Sequence, residues 1–456
     1  MKKITTFILA LTSFYILQAQ QWQFVGNQGT NPGMGKGFNQ SLAIDTNGIP
    51  YVAYVDLARN YKISVIAYIN NTWDTVGNTA ISLNQAWNNV KIKINPVTNQ
   101  PYVLFTDDGL NDNACLLYFN GSIWDTVGTY PFTTSGAIDD YDLTFSQNGI
   151  PYVSFREGNN NNGITVMKYD NNTWSVVGNT AFATMSISNN NAAYNDIEIS
   201  PSGLPYVAFV DNTYNSDRTS VMYFDGNSWQ YFGDSLFSSY SSPAFVDMEF
   251  DNTGNVYVAF KDNWTTLVRK WSGTQWDTVG VPFPSTENCY YLDLEINSSN
   301  EIWLAYTRDN GYSPKPLRVQ KFDGSNWGYV GTTNVSPGTA YFTNLEFDKY
   351  NLPYVAFQDG DYYDNTSVMK YDFLTSLNNS QTTSINIYPN PVKENIYIKS
   401  NTVKNLSYTI YDLTGKIIKQ GKYNGTIYTG NFITGIYFIE ILLPNGKIKT
   451  EKFVKY

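Results

Sequence analysis

The chain has 456 residues, 42% of them hydrophobic and 16% aromatic, with only 15% charged and a formal net charge of −10. It contains no histidine, which excludes Ser–His–Asp and Cys–His nucleophile systems and histidine-ligated zinc or copper in their usual forms. The acidic balance argues against nucleic acid, because phosphate binding needs a cationic surface.

At the N-terminus, Lys2 and Lys3 precede the apolar run Ile4–Leu17 and then Gln18-Ala19-Gln20. This pattern predicts a secretory signal peptide over residues 1–20, with the mature chain starting close to Gln21. No Cys follows the run, so lipoprotein anchoring is not expected. No other segment approaches the ~20 apolar residues that span a bilayer.

From Trp22 onward one cassette repeats. Its first half is Trp-x-x-Val-Gly, at Trp22–Gly26, Trp73–Gly77, Trp124–Gly128, Trp174–Gly178, Trp229–Gly233 (Phe232 replacing Val), Trp276–Gly280 and Trp327–Gly331. Its second half is Pro-Tyr-Val-Ala-Phe-x-Asp or a variant, at Pro50–Asp56, Pro101–Asp107, Pro151–Glu157, Pro205–Asp211, Val256–Asp262, Ile302–Arg308 and Pro353–Asp359. The Trp spacings are 51, 51, 50, 55, 47 and 51 residues. A period near 50 built only of strand-like segments predicts propeller blades, since one blade cannot bury its faces alone.

The fourth cassette predicts four strands, A to D, over 196–200, 205–210, 220–224 and 229–233, separated by turn signals at Ser202-Gly203 and Asp225-Gly226. Strand B is apolar on both faces, as expected of a strand covered by neighbours on each side. The last cassette lacks strand D, and an unassigned Trp motif stands at Trp22–Gly26. A closed ring resolves both facts, whereas an open stack would leave an exposed edge. The expectation is an all-β chain whose main domain, residues 21–375, is a seven-bladed β-propeller with the N-terminal strand completing the last blade. The layout resembles the kelch and WD-repeat superfamilies, without the kelch Gly-Gly pair or the Gly-His of a WD repeat.

Composition then shifts. Residues 381–456 hold ten Lys and four acidic residues, against 17 basic and 35 acidic in residues 21–380. That change, and the end of the repeat, predict a linker over 376–384 and a separate domain over 385–456. Its short strand-like runs suit a small β-sandwich. The segments Tyr388-Pro389-Asn390-Pro391, Tyr411–Lys416, Gly435–Phe438 and Lys449–Lys455 closely resemble the C-terminal sorting domain of cargo exported by the type IX secretion system of Bacteroidetes. The resemblance implies recognition by the outer-membrane translocon, removal of the domain, and a propeller released or held at the cell surface. Cys115 and Cys289 lie in distant blades of such a ring, so two unpaired thiols are expected.

Function is expected on one face. The A–B and C–D connections are short, while D–A connections (78–89, 179–195, 234–246) and B–C loops are long. Alternating strands place the long ones together, and variable loops on a rigid scaffold are where binding usually sits. Trp87, Tyr130, Tyr194, Tyr240, Tyr291 and Tyr341, set among Asn, Ser and Thr, are the candidate ligand-binding rings, competing with a role as packing between blades. The carboxylates that close strand B or open strand A (Asp142, Asp196, Asp247, Asp293) are expected to organise backbone in their loops. Asp359, Asp361 and Asp364 are the candidate metal ligands, with calcium the cation that such hard oxygens suit.

These features favour a binding protein, adhesin- or lectin-like, for a glycan or protein partner. A carbohydrate-active enzyme using propeller-face carboxylates and a structural surface-layer component are the alternatives. The repeat symmetry weighs against the enzyme, since no one or two blades carry a convergent catalytic set. Blade six, with Trp303, Arg308 and Asp309 off the pattern, and its neighbouring blades are the place to look for any specialised pocket.

Overall fold

The computed structural model describes residues 21–372 and 386–456, apart from 30–36, 88, 137, 186–194, 214–216, 240–242, 264, 282, 284–287, 310, 400–405, 413–415 and 443–447. The expected signal peptide and linker lie outside these residues. The chain divides into two compact units after Phe373.

In the first unit the cassettes fold as seven four-stranded antiparallel sheets. The fourth runs Asn195–Ile199, Pro205–Asp211, Arg218–Phe224 and Trp229–Tyr231 in spatial as in chain order. All seven residues of Pro205–Asp211 are buried, as expected for a strand sandwiched between neighbouring sheets. The closing sheet takes its outer strand from the other end of the chain: Gln21–Phe24 pairs antiparallel with Asn365–Asp372, from Gln21 opposite Asp372 to Phe24 opposite Met369. The inner strands Gly37–Ile44, Lys91–Ile94, Ile138–Phe145, Asn195–Ile199, Ala244–Phe250, Cys289–Ile296 and Ala340–Phe347 each neighbour the next, and the last returns against the first. The unit is therefore a β-propeller closed by its N-terminal strand. One long loop adds a short strand, Ala183–Thr184, paired with Gly163–Ile164.

The geometry accounts for Trp-x-x-Val-Gly residue by residue. The indole N–H of Trp73 donates to the carbonyl of Val25 in the preceding sheet at 2.7 Å. The same bond joins Trp124 to Val76, Trp174 to Val127, Trp229 to Val177 and Trp327 to Val279. Trp22 closes the series on Val330 at 2.9 Å. The exception is Trp276, whose indole N–H has no partner among the described residues and whose preceding sheet carries Phe232 at the Val position. The motif glycine adopts positive φ, +77° at Gly178, and a Cβ there would lie 2.8 Å from Phe224 and 3.1 Å from Trp229 of the next sheet. Only glycine lets the next Trp lie against the backbone.

In the second unit, two sheets, one of three strands and one of four, enclose a core of Val392, Ile396, Ile398, Leu406, Tyr408, Ile410, Ile427, Tyr437, Ile439, Ile441 and Phe453. This is the small β-sandwich that the alternating pattern predicts. Cys115 and Cys289 are both buried and neither forms a disulfide. Cys289 begins an inner strand.

Trp174→Phe removes a donor and leaves the Val127 carbonyl without its partner, an expected loss of about 1–3 kcal/mol. Gly178→Ala is expected to cost more than about 1 kcal/mol, from strain at positive φ and the clash with Trp229. Both are read from urea denaturation midpoints, and unchanged midpoints would contradict the role assigned to the motif.

Candidate functional site

Along the axis the seven inner strands present side chains from alternate positions, because residues two apart share one face of a strand. One layer holds Ser41, Lys91, Asp142, Asp196, Asp247, Asp293 and Asn344. The layer two residues on holds Lys93, Glu198, Glu249, Glu295 and Glu346. Eight carboxylates thus face two lysines around an axial cavity. Lys91 pairs with Asp142 at 2.7 Å and Lys93 with Glu346 at 3.6 Å.

The upper layer also ties the sheets together. Backbone N–H groups of each following sheet donate to it: Ile92 to Ser41, Ile197 to Asp142, Met248 to Asp196, Leu294 to Asp247 and Leu345 to Asp293. Of the carboxylates expected to organise their loops, Asp142, Asp196, Asp247 and Asp293 instead bond across the seams, whereas Asp56, Asp211 and Asp309, which close strand B, accept N–H groups of their own loops.

Crowding like charges out of bulk water disfavours ionisation. Burial, then the neighbouring Asp142 carboxylate, raises Asp196 well above the ordinary range. Burial likewise raises Asp247, Glu249 and Glu295, with Asp293, Glu198 and Glu346 respectively as the leading carboxylate neighbour. Burial pushes Asp293 up to about 6 and Glu198 up to about 7. Asp142 is the exception. Burial pushes it upward too, but the Lys91 ammonium and the other bonds it accepts together outweigh that and hold it below its ordinary value.

Above this layer lies the mouth of the cavity, where the long D–A connections enter the inner strands. Five inner strands bulge here, with positive φ at Asn39, Asp140, Phe245, Tyr291 and Phe342. The mouth encloses about 110 Å³ and is lined by Asn39, Gln40, Asn89, Asn195, Phe245, Tyr291, Phe342, Thr343 and the upper layer below them. Side chains of one sheet donate to carbonyls of the sheet before, Gln40 to Phe342, Asn195 to Asp140 and Thr343 to Tyr291 at bulges, and Tyr141 to Asn89 just ahead of the second inner strand.

A second cavity, of about 430 Å³, opens where the closing sheet meets the first: Gly26–Gly29, Tyr362, Tyr363 and Asn365 on one side, Tyr68, Asn71, Thr72 and Trp73 on the other. Tyr363 is 77% exposed and Tyr362 40%, so their rings are available to solvent.

The six candidate rings part company. Tyr291 and Tyr341 meet edge to face, with centroids 6.2 Å apart, beside the mouth. Trp87 is 46% exposed and stacks on Tyr61 at 3.7 Å. Tyr130 is a brace: its hydroxyl donates to Asp107 at 2.7 Å and accepts from the Leu83 N–H. Tyr194 and Tyr240 lie outside the described residues. Asp359 is fully buried and accepts from Gln28, Ser367 and the Asp361 N–H. Asp361 is exposed and Asp364 half-buried, and among the described residues no three Asp, Glu or Cys side chains gather as a metal-holding set. In the divergent sixth sheet Trp303 is fully buried, and Asp309 pairs with Lys315 at 2.7 Å.

The sequence reading missed the glutamates and lysines of the axis. Their signal was a period of two, in Asp196-Ile-Glu198, Asp247-Met-Glu249, Asp293-Leu-Glu295 and Asn344-Leu-Glu346, with Lys91-Ile-Lys93 as the interruption.

Residues 386–456 match the secretion system C-terminal sorting domain. The protein is therefore secreted or carried to the outer cell surface, and among the described residues no helix is long and apolar enough to cross a membrane. No curated protein matches the chain in sequence. Among solved structures, the extracellular domain of a hybrid two-component system from B. thetaiotaomicron is 15% identical with a TM-score of 0.56, over 96% of this chain and 59% of that one. This chain thus spans about three fifths of that domain. The Aleuria aurantia lectin, solved as a point mutant in complex with α-methyl-L-fucoside, is 15% identical over 66% of this chain and 97% of its own, at a TM-score of 0.44. An ulvan lyase of polysaccharide lyase family PL25 is 12% identical over 80% and 99%, at 0.47. Of the three, the extracellular domain, with a TM-score above 0.5, bears on the fold, and at 15% identity on the fold alone.

Raised carboxyl values are stability lost on ionisation. In metal-free buffer the propeller is expected to be most stable near the ordinary carboxylate range of about 4–4.5. It should lose stability as pH rises through about 6 for Asp293 and about 7 for Glu198. Melting temperature against pH tests this, and the D293N/E198Q variant should flatten the decline.

Proposed function

We propose that this protein is a secreted or surface-displayed binding module that recognises a glycan through the long-loop side and adjoining perimeter of its propeller. The cavity at the closing seam, which runs from the loop at Tyr362–Tyr363 to the turn at Asn71, carries the reading. Exposed tyrosine rings beside Asn27, Asn71, Asn365 and Thr72 combine flat apolar faces with amide and hydroxyl partners, the mixture that a sugar's C–H face and ring of hydroxyls require. Trp87 on Tyr61, and Tyr291 with Tyr341, are further stacking positions within the same reading. The axial aspartates each accept a backbone N–H across a seam, which favours recognition over hydrolysis as their setting.

The organisation we infer is a signal peptide over residues 1–20, a propeller of seven blades over 21–375, a linker over 376–384, and a sorting domain over 385–456 read by the type IX translocon.

The test is a glycan array probed with the full mature chain, in calcium and again in chelator. Tyr362→Ala and Tyr363→Ala are expected to weaken the glycan found by at least about tenfold, ~1.4 kcal/mol, with unchanged melting temperature. Binding that survives both substitutions would move the site elsewhere on the face. A blank array would leave a protein partner as the ligand.

A further inference from the structure

The mouth of the axial cavity contains acceptors with nothing to accept. Asn39 and Gln40 are each only 4% exposed. Their amide nitrogens are tied down, that of Asn39 to the Trp87 carbonyl at 3.2 Å and that of Gln40 to the carbonyls of Tyr341 and Phe342. The oxygens, Oδ1 of Asn39 and Oε1 of Gln40, have no hydrogen-bond partner among the described residues, and neither does Oδ1 of Asn344. All three residues line the cavity that Asp196, Asp247 and Asp293 also line.

Charge is as unbalanced as hydrogen bonding. The two lysines pair with Asp142 and Glu346, leaving the carboxylates of the fourth, fifth and sixth sheets without a cation of their own in the axial layers. A buried polar acceptor normally finds a donor or an ion, and buried charges are normally paired or coordinate metals.

We propose that this mouth is a divalent-cation site, holding a calcium-sized ion between the amide oxygens of Asn39, Gln40 and Asn344 and the carboxylates of Asp196, Asp247 and Asp293. The donor set is all oxygen and mixes neutral with anionic ligands, which suits calcium's flexible shell of six to eight oxygens better than the strict octahedron of magnesium. A volume of about 110 Å³ has room for an ion with a few waters at ~30 Å³ each. Because no three carboxylates gather tightly enough to chelate alone among the described residues, the amides and water complete the shell. The site is independent of the glycan reading and lies apart from the Asp359 loop.

The experiment uses the full mature chain, stripped with chelator, and titrates calcium by calorimetry at neutral pH. Terbium emission excited through tyrosine is followed in parallel, since Tyr291 lines the same cavity. One calcium per chain is expected, with a raised melting temperature and terbium emission that calcium competes away. The D247N/D293N variant should weaken binding at least tenfold, while D361N/D364N should leave it unchanged. If D247N/D293N fails to fold, Asn344→Ala removes one ligand and should still weaken binding several-fold. No binding at millimolar calcium overturns the proposal. So does binding lost in D361N/D364N and retained in the axial variants.

Discussion

The structure depends on hydrogen bonds repeated at its seams, most of them donated by one sheet to the sheet before it. At the perimeter the indole N–H of one sheet reaches the Val carbonyl of the sheet before it. At the axis the backbone N–H of one sheet reaches the Asp of the sheet before it, and at the mouth Gln40, Tyr141, Asn195 and Thr343 do the same. Each sheet is buried on both sides, so its polar edge groups must be satisfied by a neighbour or not at all. Repeating one cassette satisfies them in turn, and pairing Gln21–Phe24 with Asn365–Asp372 satisfies the last.

That economy has an electrostatic cost. A residue type that serves one seam well is copied to the next, and copies at the same position of an inner strand converge on the axis. Asp and Glu, repeated for their bonds, therefore meet as like charges where water is scarce. Lys91 and Lys93 break the repeat in the second sheet and neutralise part of the crowd. The remaining carboxylates hold their protons to unusually high pH or need a cation from solution.

Both candidate features touch the seam between the closing sheet and the first. The rim cavity forms between Tyr362–Tyr363 and Trp73, and the amide oxygens without a donor among the described residues at the mouth belong to Asn39, Gln40 and Asn344. This is where two distant parts of the chain meet and where the repeat is interrupted by the chain's own ends. Departures from symmetry at this seam matter more than the divergence of the sixth sheet. There the changed residues were absorbed by burial of Trp303 and an ion pair between Asp309 and Lys315.

The chain's sequence by itself determined the repeat, the closure and the second domain, because strand alternation, turn residues and the orphaned Trp motif are local signals with few compatible topologies. It also marked Asp142, Asp196, Asp247 and Asp293 as special, though not what they bond. Only the tertiary structure decided that these residues and the glutamates two positions on share one axis, that Tyr130 is a brace while Tyr362 and Tyr363 are open, and that the side-chain oxygens of Asn39 and Gln40 meet no donor among the described residues. Convergence on an axis joins residues about fifty positions apart in separate sheets, and no local pattern records which of their atoms finally meet.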